Sequence, residues 1–118
     1  MVIGYYFLTG LNVVGIDIVD IARIADIMEK YGERFLNKVF TDEEIRYAQG
    51  KKRVQESLAG RFAAKEAFMK AMGRRLSWKE IEISQVDARP HICYKDTLYR
   101  GVSISHERAY AVSVVVIP

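Results

Sequence analysis

A chain of 118 residues has room for one domain around one core, and with half of its residues apolar it can build that core. A net charge of +3, without a run of five basic residues, does not argue for nucleic acid by itself and suits an acidic or phosphorylated partner. The single cysteine, Cys93, excludes an internal disulfide and a cysteine-based zinc site, which fits a reducing cytoplasm.

Residues 1–10 are apolar but carry no basic segment and no small-residue cleavage site. They are too short and too broken by glycine to span a bilayer, so they read as an extension leading into the first strand. Asn12 to Val19 reads as a buried strand. Asp20 to Tyr31 has helical period, with Ile21, Ile24, Ala25, Ile27 and Met28 apolar and charges between them; Gly32 ends it. A short helical turn is expected over Phe35 to Phe40. Thr41 with Glu44 three residues on is a capping box, opening a helix to about Gln49. Gly50 to Arg53 makes a basic loop. A long helix follows from about Val54 to Met72, and Gly73 terminates it. Leu58, Phe62, Ala63, Ala67, Phe68, Met69 and Met72 surround that helix, so it is expected to be buried. Four strands complete the chain: Glu80 to Ser84, Pro90 to Tyr94, Tyr99 to Ser105 and Tyr110 to Ile117. Lys95-Asp96 is a turn, and His106-Glu107-Arg108 a tight connection. One strand, then helices, then an antiparallel meander predicts an α+β fold.

Two carboxylates stand out. Glu66 lies beside Ala63 and Ala67 on the long helix, and Asp17 lies in the apolar run Val13 to Val19. A buried carboxylate must be paired, metal-bound or protonated. Two hard oxygen ligands with cations nearby suit a divalent metal and a phosphate-bearing substrate. Each also has a plain structural reading. Asp17 is explained as the cap of the helix opening near Asp20, and the local pattern favours that. Glu66 and Lys70 at i,i+4 are explained as a helix ion pair. Lys52, Arg53 and Arg61 are either a solvated face, the better reading on local pattern, or a clamp around one anion. A lone histidine in a turn, His106, is more often structural than catalytic, and His91 is read as structural. There is no nucleophile elbow, no P-loop and no dinucleotide fingerprint.

Four blocks in order carry a resemblance. They are Gly15-Ile16-Asp17-Ile18-Val19-Asp20-Ile21-Ala22-Arg23-Ile24, Phe40-Thr41-Asp42-Glu43-Glu44, Leu58-Ala59-Gly60-Arg61-Phe62-Ala63-Ala64-Lys65-Glu66-Ala67-Phe68-Met69-Lys70-Ala71 and Val102-Ser103-Ile104-Ser105-His106. Together the blocks resemble the phosphopantetheinyl transferases, most closely the small holo-acyl-carrier-protein synthase type. The resemblance runs from about Val14 to Ile117. It implies a helix-on-antiparallel-sheet α+β fold and transfer of the 4′-phosphopantetheine arm of coenzyme A to a serine of apo acyl carrier protein. Adenosine 3′,5′-bisphosphate is the other product.

The family is Mg²⁺-dependent and cytoplasmic; Mn²⁺ suits the same hard oxygen ligands. Its small members are homotrimers with active sites between neighbouring subunits, and the default acceptor belongs to fatty-acid biosynthesis. By position, Asp17 and Glu66 match the metal carboxylates and Lys70 the active-site lysine. Lys52, Arg53, Arg61 and His106 match residues holding the nucleotide end of coenzyme A. Glu44, through water, and Glu66 are the two candidates for the base that activates the serine. Arg23 matches a position on the helix that docks the acidic carrier protein. Two departures from the family pattern are the residues ahead of the first strand and the short Arg74-Arg75-Leu76 where a longer glycine-rich segment is common. A non-catalytic module binding coenzyme A or acyl carrier protein is the rival reading, and a basic interaction protein is the weaker third. Neither nucleic acid nor membrane is expected as a partner.

Overall fold

The structure, a computed structural model, describes residues 12–118. The extension read over residues 1–10 lies outside the described residues. In chain order the elements are β1 (Val13–Asp20), α1 (Ile21–Tyr31), α2 (Glu33–Val39), α3 (Asp42–Gln49), α4 (Val54–Met72), a 3₁₀ turn (Trp78–Glu80), β2 (Ile81–Val86), β3 (Arg89–Tyr94), β4 (Thr97–Tyr99), β5 (Val102–Glu107) and β6 (Tyr110–Ile117). Every strand pairing is antiparallel. Local chemistry sets the helix ends. Asp20 accepts from the Ala22 N–H at 2.9 Å and so caps α1. Thr41 and Glu44 form the reciprocal capping box of α3. Gly73 ends α4 at φ +76, a conformation that costs glycine nothing.

The strands divide into two three-stranded sheets, β1-β6-β5 and β2-β3-β4. This corrects the strand expected over Tyr99 to Ser105. The chain breaks at Arg100–Gly101, where the Val102 N–H turns back to the Arg100 carbonyl, and β4 and β5 join different sheets. The expected tight connection is shorter as well, since β5 runs on through His106 and Glu107. Both β2–β3 and β3–β4 are closed by two residues at positive φ, Asp87-Ala88 and Lys95-Asp96, the geometry that matches the strands' right-handed twist.

Helix α4 is the axis of the molecule. Ala64, Ala67, Phe68, Met69 and Ala71 pack with Ile81, Ile83, Ile92, Tyr94 and Val115 from both sheets. Leu58, Ala59 and Ala63 pack with Ile24, Val39, Phe40 and Ala48 from the short helices. Burying an aliphatic or aromatic side chain stabilises by about 1.5–3 kcal/mol, so this one rod holds the two halves together.

Strand β1 lies directly on α4 at Gly15, where a Cβ would stand 1.9 Å from the Ala67 carbonyl oxygen. Only glycine permits that approach. Contrary to expectation, β1 is buried on one face alone. Gly15 and Val19 face α4, whereas Val14, Ile16 and Ile18 are exposed at 59, 57 and 65%. The period of a strand is two, so an apolar run can cover the core with only half its residues.

Candidate active site

The Gly15 contact sets Asp17, two residues along the same face of β1, against the next turn of α4. Asp17 Oδ1 accepts from Lys70 Nζ at 3.1 Å, and the same ammonium donates to the Ile16 carbonyl at 3.0 Å. Asp17 and Glu66 line one cleft of about 260 Å³, with Arg23 and Ile27 of α1 across from them. Partial burial raises the Asp17 pKa above its usual value of 3.8; Lys70 works against this, and the Glu66 charge adds to it. Asp17 is therefore not the helix cap, a role taken by Asp20. Nor do Glu66 and Lys70 form the expected i,i+4 pair. Lys70 reaches across to β1, while Glu66 accepts from Arg75 Nη1 at 3.2 and 3.3 Å.

The pair fits a divalent cation by its donor chemistry. Two carboxylates face one cleft, and burial, with a smaller contribution from the Glu66 charge, raises the Asp17 pKa. No cluster of three His, Cys, Asp or Glu side chains with metal-holding geometry exists among the described residues. That suits Mg²⁺, which takes one or two carboxylates and fills its shell with water and substrate phosphate oxygens.

Glu44, one of the two candidates for the base, stands apart from this cleft. It is only 1% exposed. Its Oε1 receives the Thr41 N–H at 2.9 Å and Lys65 Nζ at 2.7 Å, and its Oε2 receives the Ile83 N–H at 2.6 Å. Lys65 is fully buried and also donates to the Val39 and Trp78 carbonyls, at 2.7 and 3.0 Å. Burial pushes the Lys65 pKa down, against the pull of Glu44. The pair ties α3, α4 and β2 together, and both Glu44 oxygens are already engaged.

Lys52, Arg53, Arg61 and His106 come together in a second cleft, of about 460 Å³. Here the solvated-face reading fails for Arg61, which is 4% exposed. Its Nη1 reaches Ser57 Oγ at 3.5 Å, but Nε and Nη2 are buried without a partner. Buried donors on a cation demand an acceptor, and an anion in the cleft supplies one. Burial lowers the Arg61 pKa, but a guanidinium stays charged.

Sequence reasoning missed three residues at these clefts. Tyr47 lies under Arg61, with the guanidinium carbon 3.9 Å from the ring centre and Lys51 Nζ at 4.6 Å. Burial pushes the Tyr47 phenol up, yet Lys51 and Arg61 outweigh it and leave the phenol below its ordinary value of 10.0. Glu56 faces His106 Nδ1 at 3.2 Å and Arg53 at 3.6 Å, orienting both. Arg75 covers Glu66. A helical wheel finds Glu56 one turn before Gly60; nothing local marks the other two.

The clefts use different sides of α4. Arg61 and Glu66 are five residues apart, which at 3.6 residues per turn is about 140° around the axis. One is a pair of carboxylates facing cations, the other a cationic pocket with unmet donors.

Comparison with known proteins agrees with this chemistry. The family model of the 4′-phosphopantetheinyl transferase superfamily matches residues 13–115. A holo-[acyl-carrier-protein] synthase of Halothermothrix orenii is 44% identical, over 87% of this chain and 94% of the relative. One from Thermus thermophilus is 38% identical, over 87% of this chain and 90% of the relative. Among solved structures, the Helicobacter pylori holo-[acyl-carrier-protein] synthase in complex with coenzyme A superposes with a TM-score of 0.80. It is 32% identical and covers 89% of this chain and 99% of its own. The Bacillus anthracis holo-(acyl-carrier-protein) synthase in complex with CoA (3′,5′-ADP) gives a TM-score of 0.76 at 35% identity, covering 89% and 94%. With the match running from the first residue of β1 nearly to the end of β6, the chain belongs to the 4′-phosphopantetheinyl transferase superfamily.

Proposed function

We propose that this chain is a holo-acyl-carrier-protein synthase. It moves the 4′-phosphopantetheine arm of coenzyme A to a serine hydroxyl of apo acyl carrier protein and releases adenosine 3′,5′-bisphosphate. The observation that carries this reading is the junction of β1 with α4, which sets Asp17 and Glu66 on one cleft with Lys70 hydrogen-bonded to Asp17. A protein that merely bound coenzyme A would not need that constellation. The named activity of the relatives and the coenzyme in two of the solved structures support the same reading.

Asp17 and Glu66 would hold Mg²⁺, or Mn²⁺, which supplies charge neutralisation at the diphosphate. Lys70, anchored on the Ile16 carbonyl, adds a positive charge at the same place. Lys52, Arg53, Arg61 and His106 hold the nucleotide phosphates, with the buried Arg61 donors aimed at one of them. The serine oxygen attacks the phosphorus bearing the pantetheine arm. As that O–P bond forms, the bond to the bridging oxygen breaks, and the nucleotide phosphate leaves with the electron pair. Glu66 is the carboxylate left in the cleft to receive the serine proton. Exposed Arg23, on the rim of that cleft, docks the acidic carrier protein.

Two observations support a homotrimer with sites between subunits. Val14, Ile16 and Ile18 pair in register with Val116, Val114 and Val112 and make one apolar sheet face, of which the β1 half is exposed. A face of this kind calls for a partner. The carboxylate and cationic clefts also open on different sides of α4, and a second copy would bring one against the other. A homotrimer with sites between subunits satisfies both. Light scattering should then return three times 13.5 kDa. No helix among the described residues is long and apolar enough to cross a membrane. A cytoplasmic location and an acceptor from fatty-acid synthesis complete the reading.

The direct test is intact-mass spectrometry of apo acyl carrier protein incubated with this protein, coenzyme A and Mg²⁺, beside a chelator control. Gain of one phosphopantetheine arm, lost with the chelator, supports the reading. A protein that binds coenzyme A but leaves the carrier's mass unchanged is a binding module instead.

A further inference from the structure

Glu66 is already occupied by a cation belonging to the chain itself. Arg75 Nη1 bridges its two oxygens at 3.2 and 3.3 Å. Arg75 belongs to neither α4 nor the 3₁₀ turn but to the short connection between them, and its side chain is 65% exposed. The other carboxylate is covered too, by Lys70 on Asp17. A divalent ion entering this cleft meets two carboxylates that are both neutralised, so one of the two cations must withdraw.

The geometry decides which. Lys70 is on the rigid α4 and holds a second anchor, the Ile16 carbonyl at 3.0 Å. Arg75 lies on an exposed connection and makes no other hydrogen bond recorded among the described residues. It can release Glu66 without losing every contact: its guanidinium already lies 5.3 Å from the centre of the Trp78 ring, and Trp78 is stacked on Phe62 at 5.0 Å beside the cleft.

We propose that Arg75 is a placeholder cation. It closes Glu66 while the cleft is metal-free, withdraws when the divalent ion binds, and then presents its planar fork to the diphosphate of the coenzyme. The proposal rests on the reading of Asp17 and Glu66 as the metal carboxylates. It has two consequences. Arg75 competes with the ion when coenzyme is absent, because both want the same oxygens. It also couples the two ligands, because a diphosphate that attracts Arg75 frees Glu66 for the ion, and the coupling is reciprocal. An arginine suits this exchange, since its fork matches a carboxylate and a phosphate equally well.

The test is a Mn²⁺ titration of the full-length protein followed by electron paramagnetic resonance, with and without coenzyme A, in the unaltered chain and in Arg75→Gln and Glu66→Gln. Without coenzyme A, Arg75→Gln should bind Mn²⁺ about two- to five-fold more tightly than the unaltered chain, the range expected when a partly exposed ion pair is removed. Coenzyme A should then tighten Mn²⁺ binding less in Arg75→Gln than in the unaltered chain. A thermal melt verifies that this exposed substitution leaves the fold intact. Unchanged or weaker Mn²⁺ binding in Arg75→Gln, with binding lost in Glu66→Gln, overturns the placeholder role and leaves the metal assignment standing. Equal tightening by coenzyme A in both overturns the transfer to the diphosphate. If Glu66→Gln binds Mn²⁺ as well as the unaltered chain, the metal assignment falls and the role of Arg75 falls with it.

Discussion

The two clefts on α4 contrast in how their charges are satisfied. Around Asp17 and Glu66, each carboxylate has found a cation, Lys70 from 53 residues along the chain and Arg75 from the connection after α4, and the set is neutral within itself. Around Arg61, cations gather without enough anions. Lys51 and Arg61 share the Tyr47 ring, Glu56 serves both Arg53 and His106, and two Arg61 donors are left over. The first cleft is a closed set, which under the proposed metal role has to exchange partners in order to act. The second is an incomplete set that a phosphate completes. A protein handling a metal and a nucleotide has a physical reason to build them differently. An open pair of carboxylates repels itself, whereas the buried donors of Arg61 await an anion.

The sharpest way to break this comparison is to disable one cleft and read the other. Asp17→Ala and Glu66→Ala should each lower carrier-protein modification by at least about 10²-fold, the scale for losing a charge-stabilising group. Binding of adenosine 3′,5′-bisphosphate, measured by calorimetry, should survive in both. Normal transfer by both variants would remove the metal assignment. Next in size is the rod that carries both clefts. Lys65→Met strands Glu44 in the core and should cost about 3–5 kcal/mol in denaturant unfolding. If unfolding stability is unaffected, the buried pair is not what ties α3, α4 and β2. Arg61→Met is the mirror of the carboxylate variants. It should weaken adenosine 3′,5′-bisphosphate binding about 10- to 100-fold, as expected for charge-assisted hydrogen bonds, while Mn²⁺ binding stays unchanged. A smaller effect belongs to the rim. Arg23→Ala should raise the Michaelis constant for carrier protein about two- to five-fold and leave that for coenzyme A alone.

The smallest effect is in pH. Asp17 holds its proton more tightly in the folded chain than at its ordinary value of 3.8, because burial outweighs Lys70. In the window just above 3.8 the folded state therefore binds more protons than the unfolded one, and this group's contribution to metal-free stability rises as pH falls. Comparing melts of the unaltered chain and Asp17→Asn with chelator present should show the unaltered chain gaining relative to the variant on acidification. A constant difference across that window would mean that Asp17 is not strained by burial.

The helices were legible because what begins and ends them is close in sequence. Thr41 with Glu44, and Gly73 after Met72, act within one turn, and the apolar circumference of α4 announced its burial. Even so, local chemistry misled where two residues could do one job. On local pattern Asp17 reads as the cap, and it is the extension of β1 through Asp20 that gives the cap to Asp20. Glu44 is the clearest case. Its capping role was readable, but the same carboxylate also meets Lys65 and the Ile83 N–H, partners that no local pattern names.

What the sequence alone determined is the order of the helices, most of their ends and the family motif that holds Asp17, Glu66, Lys70 and the cationic cluster. Periodicity and capping act over a few residues, and motif spacing is written in the chain. The tertiary structure decided everything that depends on which elements meet. It divided the strands into two sheets and left the outer face of β1 open. It drew Lys70 to Asp17 and Arg75 to Glu66, and turned the two clefts to different sides of one helix. The reason is that a charge takes its partner by distance in space. For Asp17 and Lys70 that distance is set by the bare Gly15 contact between β1 and α4, which packing alone could reveal.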